Sequence, residues 1–132
     1  MIGIIRNLGV GGSGNRPIDF NLLENGISNS ITTSASTTQY SYASIFYPTL
    51  TKNAVLMASF THTRGTASLG VYFDVEVNGE WVNVGGGLYS NTQTNLVYPM
   101  VNFTTPSLLR VRFVNTGQAT HTLTITKLVI LS

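Results

Sequence analysis

Hydrophobic and polar residues alternate along most of the chain after residue 26, with the period of two that is typical of β-strands. This pattern predicts eight strands, over residues 27–33, 38–47, 54–62, 69–77, 80–84, 94–104, 108–114 and 120–131. Glycine, proline and asparagine separate them, as at 85–87, and no segment keeps a helical period for more than two turns. The sequence therefore predicts an all-β protein, either an antiparallel β-sandwich or a small barrel, and we favour the sandwich.

The clearest local signal is Asn78-Gly79, which lies between two alternating segments and favours a hairpin with a two-residue type I′ turn. Such a turn pairs Val77 with Glu80, Val75 with Val82 and Phe73 with Val84. The alternation predicts these core residues: Phe73, Val75, Val82, Val84, Leu109, Val111, Phe113, Leu123 and Ile125. It also places Val129 and Leu131 on the same face as Leu123 and Ile125.

The opposite face of this hairpin carries an aromatic and acidic set of side chains. These are the predicted ligand- or partner-binding residues: Tyr72, Asp74, Glu76, Trp81 and Asn83. Tryptophan and tyrosine are preferred anchors of protein interfaces, while exposed carboxylates can accept hydrogen bonds from sugar hydroxyls beside a stacking indole. Three interpretations stay open: a contact with another subunit, a contact with a glycan, or an aromatic residue covered by its own chain. A glycosidase carboxylate pair is a weaker alternative, because a flat hairpin offers no cleft.

Composition limits the function classes. Charged residues make up only 9% of the 132 residues, against roughly 25% in ordinary soluble domains. Solubility must come from 18 threonines, 12 serines and 12 asparagines, a surface more common outside cells. A net charge of +2 with scattered arginines argues against nucleic-acid binding, and no apolar run is long enough to span a membrane. No signal peptide is visible, and a virion component, made inside the host and then released, would reconcile this with the extracellular type of surface. We therefore expect a virion or extracellular location.

The sequence offers little for catalysis or for metal binding. Cysteine is absent, which excludes disulfides and thiolate ligands. His62 and His121 each lie between threonines and are interpreted as surface strand residues. No serine has the surroundings of a nucleophile, and no ligand spacing indicates a metal. We therefore predict a non-enzymatic protein with no cofactor, no catalytic residues and no metal ligands.

Residues 1–26 differ from the rest of the chain. Residues 1–10 are mostly apolar, and four of the 13 glycines lie within residues 9–14. Those glycines match the G-x-G-x-x-G dinucleotide pattern, but no helix is predicted to follow, so a flexible linker is the favoured interpretation. The sequence predicts an N-terminal arm with a glycine-rich hinge over 1–26 and a sandwich domain over 27–132. The arm either folds back as an edge strand or is exchanged between subunits.

Low charge, strands rich in threonine, serine and asparagine, the absence of cysteine and the glycine-hinged arm together resemble small jelly-roll structural proteins of viruses, of the capsid, decoration or spike type. The resemblance lies in composition and layout, so it assigns no individual residues. It implies a jelly roll of about eight strands as the topology of the sandwich. It also implies a virion structural protein that acts through self-association as a homo-oligomer, often a trimer, or through other virion proteins. The alternative is a carbohydrate-binding or receptor-binding sandwich module that uses the face bearing Trp81.

Overall fold

The computed structural model describes residues 19–45, 54–63, 69–100 and 108–131, and within them the chain forms nine β-strands and one short 3-10 helix. The strands are β1 (Asp19–Asn21), β2 (Ser30–Thr33), β3 (Thr37–Ser44), β4 (Val55–His62), β5 (Leu69–Val77), β6 (Glu80–Tyr89), β7 (Gln93–Pro99), β8 (Leu108–Asn115) and β9 (His121–Leu131). The 3-10 helix, Leu22–Glu24, follows β1 directly, and the side chain of Asn21 accepts a hydrogen bond from the amide of Leu23 at its start.

The strands form two sheets that pack face to face. Sheet 1 has the order β1-β9-β4-β7, with β2 paired along the same edge of β9 as β1. Sheet 2 has the order β3-β8-β5-β6, and the neighbouring strands of both sheets are antiparallel. With β1 set aside, β2-β9-β4-β7 facing β3-β8-β5-β6 is the strand order of an eight-stranded jelly roll. The predicted antiparallel β-sandwich is confirmed.

The hydrophobic core lies between the two sheets. Its largest fully buried side chains include Phe60, Phe73 and Phe113. The following predicted core residues are buried: Phe73, Val75, Leu109, Val111, Phe113, Leu123 and Ile125. Val84 is partly buried against this core. The prediction for Val82 is wrong, because it lies at the hairpin end of edge strand β6, where its side chain stays 39% exposed.

The β5–β6 hairpin has the predicted turn but not the whole predicted register. Asn78 and Gly79 both have positive φ, 55° and 84°, as a type I′ turn requires. Val77 pairs with Glu80 and Val75 with Val82 as predicted, but Phe73 pairs with Gly85 because a bulge adds one residue to β6. The expected turn at 85–87 is also wrong, since β6 continues through these glycines to Tyr89. A side chain at Gly85 would collide with the ring of Tyr98.

Sheet 1 contains two further bulges, both opposite Ser59 of β4. One adds a residue to β9 between Ile125 and Lys127, and the other adds a residue to β7, where Asn95 has φ 52°. The Ser59 hydroxyl accepts a hydrogen bond from the Asn95 amide at 2.8 Å. The bulge in β9 reverses the alternation, so that Leu128 and Ile130 face the core. The expectation that Val129 and Leu131 continue the inner face is therefore wrong.

The described part of the predicted arm begins at Asp19. There β1 pairs with β9 and Leu22 is fully buried, so these residues are part of the sandwich. Residues 1–18, which include the predicted glycine hinge, lie outside the described residues, and the division of the chain at residue 26 stays a prediction. Residues 46, 47 and 101–104 of the predicted strands also lie outside the described residues.

Candidate functional site

The structure brings the five predicted binding residues together on the outer face of sheet 2. Tyr72, Asp74 and Glu76 alternate with the buried residues of β5 and so point away from the core. Cross-strand pairing sets Trp81 of β6 opposite Glu76, and Asn83 opposite Asp74. Near the turn the strand pairing is as predicted, and it therefore places the predicted residues on one surface.

Two further strands complete this surface with side chains that were not among the predicted binding residues. On β8, Arg110 and Arg112 point outward between the buried Leu109, Val111 and Phe113, and on β3 Tyr40 and Tyr42 do the same. Rows across the sheet run from Tyr42 through Arg110 and Asp74 to Asn83, and from Tyr40 through Arg112 to Tyr72. We call this surface the aromatic–arginine face; it comprises Tyr40, Tyr42, Tyr72, Asp74, Glu76, Trp81, Asn83, Arg110 and Arg112.

The carboxylate of Asp74 is the centre of this face. Its Oδ2 accepts hydrogen bonds from Nε of Arg110 at 2.8 Å and from Nε of Arg112 at 3.0 Å. Its Oδ1 accepts from Nη2 of Arg112 at 3.3 Å and from the amide of Asn83 at 3.0 Å. Asp74 is only 2% exposed, so the expectation of an exposed carboxylate is wrong at this position. A ligand would meet the arginines and rings around Asp74, not Asp74 itself.

The electrostatics of the cluster favour the ionised carboxylate. Burial alone raises the pKa of Asp74, but hydrogen bonds from Arg112, Asn83 and Arg110 outweigh it and lower the pKa below its ordinary value. The hydrogen bond with Asp74 in turn raises the pKa of Arg112. Two arginines sharing one carboxylate leave the cluster with a positive charge, which the surrounding rings partly stabilise.

Aromatic rings cover both guanidinium groups. The guanidinium carbon of Arg110 lies 4.3 Å from the ring centroid of Trp81 and 4.8 Å from that of Tyr40, and Arg112 lies 4.4 Å from the ring of Tyr72. These distances are within the range of cation–π attraction. Tyr42 links the rings, 6.2 Å from Tyr40 and 5.9 Å from Trp81. Each side chain is thus held by its neighbours.

The outermost part of the face stays open to solvent. Tyr40, Tyr42 and Trp81 are 43%, 47% and 36% exposed. Exposed aromatic rings that are already ordered lose little side-chain entropy when a partner covers them, which favours binding. The face suits contact with a protein surface or stacking with a sugar ring.

The described residues offer less for catalysis than for binding. His62 and His121 are both buried, so their interpretation as surface residues is wrong. A ring nitrogen of His62, Nε2, lies 2.7 Å from the carbonyl oxygen of Tyr89, a structural contact between strands. Across the described ranges, no three histidine, aspartate or glutamate residues are placed to hold a metal ion. Nor does any helix in the described part of the chain have the length and apolarity to cross a membrane.

Comparison with solved structures finds proteins of similar fold. The chain is similar to VP2 in the subviral particle of infectious bursal disease virus, with 15% identity and a TM-score of 0.52 over 96% of this chain and 37% of that one. It is equally similar to the protein of T=1 particles derived from infectious bursal virus, with 15% identity and a TM-score of 0.53 over 96% of this chain and 36% of that one.

The likeness extends over nearly the whole of this chain but little more than a third of the chains it matches. At 15% identity this likeness shows a shared β-sandwich fold. No family model and no curated protein sequence matches the chain.

Proposed function

We propose that this protein is a non-enzymatic structural component of a virion and acts through self-association. The observation that carries the proposal is the jelly-roll strand order of this chain, together with a likeness of fold, over 96% of its length, to proteins of viral particles. The low charge and hydroxyl-rich composition support it, because such surfaces can approach one another without strong repulsion between like charges.

The aromatic–arginine face is the contact surface that we propose for this association. Tyrosine, tryptophan and arginine are enriched at the centres of protein interfaces, where they contribute most of the binding energy. Here they lie side by side on a regular sheet, with Tyr40, Tyr42 and Trp81 exposed and Arg110 held between two of the rings. A partner subunit or another virion protein could cover these rings without rearranging them.

Sedimentation velocity of the full chain over a range of concentrations tests the proposal. We expect a discrete oligomer or a closed particle that persists on dilution into the low micromolar range. A monomer that shows no concentration dependence up to about 100 µM, which corresponds to a free energy of association weaker than about 5.5 kcal/mol, would contradict self-association.

Replacing Trp81 with alanine tests the face itself. Because the indole is 36% exposed, we expect the free energy of unfolding to fall by about 1–2 kcal/mol, the loss of its contacts with Arg110 and Tyr42. Association should weaken by about 2 kcal/mol or more, as for an interface anchor. Urea unfolding and sedimentation measure the two effects separately.

Leu88→Ala is the control for losing an exposed apolar side chain, since Leu88 is 67% exposed on the same strand and the same side of sheet 2, but lies three outward rows away from Trp81 and outside the aromatic–arginine face. It should change neither quantity by more than about 0.5 kcal/mol. A loss of about 3–5 kcal/mol of stability in Trp81→Ala, with unchanged association, would instead make Trp81 an ordinary buried aromatic.

The N-terminal segment is proposed to serve association more than folding. From Asp19 onward the described strands form both sheets and the hydrophobic core between them. Deleting residues 1–15 should therefore leave the β-sheet circular dichroism signal intact and shift the sedimenting species toward smaller mass. Loss of the folded signal would contradict this role.

A second candidate function is glycan binding, favoured by the three exposed rings of Tyr40, Tyr42 and Trp81 on one flat face. Sugar rings stack on such platforms through their C–H groups, while guanidinium and amide groups at the edge can donate to hydroxyls. A glycan array probed with the wild type and with Trp81→Ala separates the candidates. Specific glycan signals that vanish in the variant would support this function, and their absence would leave self-association alone.

A further inference from the structure

The outer face of sheet 1 is divided into two chemically different halves at the level of Ser59. Beyond the bulges opposite Ser59, toward the start of β9, the outward residues of the sheet carry hydroxyl groups, and some bond to one another. Thr32 and Thr122 are 2.9 Å apart between their hydroxyl oxygens, and Thr92 donates to Thr61 at 2.8 Å. Hydroxyl groups of this half therefore bond to one another across the strands.

The other half is apolar in two successive rows across three strands. In one row Leu131 pairs with Val55 and Val55 with Pro99; in the next Val129 pairs with Met57 and Met57 with Val97. The residues between these rows, Leu56, Ile130 and Tyr98, face the core, so the two rows face outward. We call this surface the apolar patch; it comprises Val55, Met57, Val97, Pro99, Val129 and Leu131.

The apolar patch is only partly covered by its own sheet. Val97 is 50% exposed, and Val55, Met57, Val129 and Leu131 are half-buried. No lysine, arginine, aspartate or glutamate belongs to the two outward rows on β4, β7 and β9. A contiguous apolar surface of this kind on a domain with such a polar exterior indicates an interaction site.

The chain itself carries a segment of matching chemistry. Residues 1–10 contain the apolar Met1, Ile2, Ile4, Ile5, Leu8 and Val10 and a single charged residue, Arg6. Asp19 pairs with Leu131, so the 18 residues before it join the fold at the outermost row of the apolar patch. Fully extended, 18 residues span at most about 60 Å, far enough to reach a neighbouring subunit.

The direction of β1 favours docking of the N-terminal segment on the apolar patch of a neighbouring copy over docking on the patch of its own chain. Asn21 lies beside Val129 and Asp19 beside Leu131, so followed backward β1 leads off the end of the sheet, away from its own patch. To cover the patch of its own chain, the N-terminal segment would have to reverse its direction before Asp19. To reach a neighbouring copy, it needs only to continue in the direction of β1.

We propose that the apolar patch is the docking site for residues 1–10 of a neighbouring copy of this chain. This inference rests on the proposed self-association and gives it a second contact, separate from the aromatic–arginine face on the other sheet. Burial of isoleucine, leucine and valine side chains against the six patch residues supplies the driving force. Each subunit would both donate a segment and accept one.

The absence of cysteine makes the test direct. Ile4→Cys is prepared in one batch and Val97→Cys in another, and the full chains are mixed, allowed to exchange subunits and oxidised. We expect a mixed disulfide between the two variants, identified by mass spectrometry of the linked peptides. Thr124→Cys, an exposed position on the hydroxyl half of the same face, replaces Val97→Cys as the matched control and should form at least tenfold less mixed disulfide.

Two further measurements make every result decisive. The double variant Ile4→Cys/Val97→Cys reports whether a bridge forms within one chain, and a predominantly intramolecular bridge would overturn docking on a neighbour. Val97→Asp should weaken association about tenfold or more, while Thr124→Asp should not. A wild-type oligomer with no mixed disulfide would overturn this inference alone, and a wild-type monomer would overturn the proposed function together with it.

Discussion

Replacing Asp74 with alanine should lower the free energy of unfolding by about 3 kcal/mol, because Arg110 and Arg112 both lose the buried carboxylate to which they are bonded. The figure lies at the low end for a broken buried ion pair, since the two arginine side chains are 18% and 28% exposed and can still reach water. Asn83 loses an acceptor as well. Urea unfolding at neutral pH measures the difference.

The same variant should change how stability depends on pH. The folded-state pKa of Asp74 lies below its unfolded value, so the ionised carboxylate stabilises the fold above the unfolded pKa, about 3.9. That stabilisation is lost as the pH falls through the folded pKa. The difference between wild type and Asp74→Ala should therefore be constant near neutral pH and shrink below about pH 4.

Glu80→Ala is the control for both measurements, since Glu80 is an exposed carboxylate on the same hairpin. It should alter stability by no more than about 0.5 kcal/mol. A difference between wild type and Asp74→Ala that stayed unchanged down to pH 2 would show that the carboxylate charge is not what holds the cluster together.

A second large effect is expected at Gly86. This residue has φ 130°, and a Cβ added there would approach the carbonyl oxygen of Val71 and lie 2.6 Å from the Cα of Tyr72. Both are backbone atoms of the paired strand β5, so they can yield only if the pairing opens. Strain in φ and the collision together should make Gly86→Ala about 3 kcal/mol less stable.

The neighbouring Gly87 provides the comparison. The nearest atom to a Cβ added at Gly87 is the hydroxyl oxygen of Tyr89, at 3.6 Å, an ordinary contact. Gly87→Ala should therefore change the free energy of unfolding by less than about 0.5 kcal/mol. Thermal or urea unfolding of the two variants side by side measures the difference, and equal losses at both positions would contradict the close approach of β6 to β5.

The sequence predicts the local pattern of this fold well and its interruptions poorly. Asn78-Gly79 fixed the turn, and the alternation of β8 placed Leu109, Val111 and Phe113 in the core. Bulges, however, depend on how a strand meets its neighbours across the sheet. The only trace of the extra residue in the sequence of β9 is that two polar residues, Thr126 and Lys127, follow each other where the alternation would be interrupted. The bulge there turns Val129 and Leu131 to the outer face.

In the candidate site, too, the features set by local sequence could be predicted, and those set by pairing between distant strands could not. All five predicted residues share the outer face because hairpin pairing is local, so Trp81 could be assigned beside Glu76 from sequence. The burial of Asp74 could not, because it depends on β8 lying next to β5, a pairing between distant parts of the chain. The alternation of β8 sets Arg110 and Arg112 on the side opposite Leu109, Val111 and Phe113, but it does not tell which strand lies beside them.

The pairing of Asp19 with Leu131 sets the first and last described strand ends of the sandwich side by side. A domain whose chain enters and leaves at one corner can be inserted into a loop of another protein through two short linkers, without stretching either. The same geometry warns against an affinity tag attached directly after Leu131, since Leu131 belongs to the apolar patch. A tag or fluorophore meant to leave assembly undisturbed belongs instead at the exposed turn after β2, near Ser34 and Ser36.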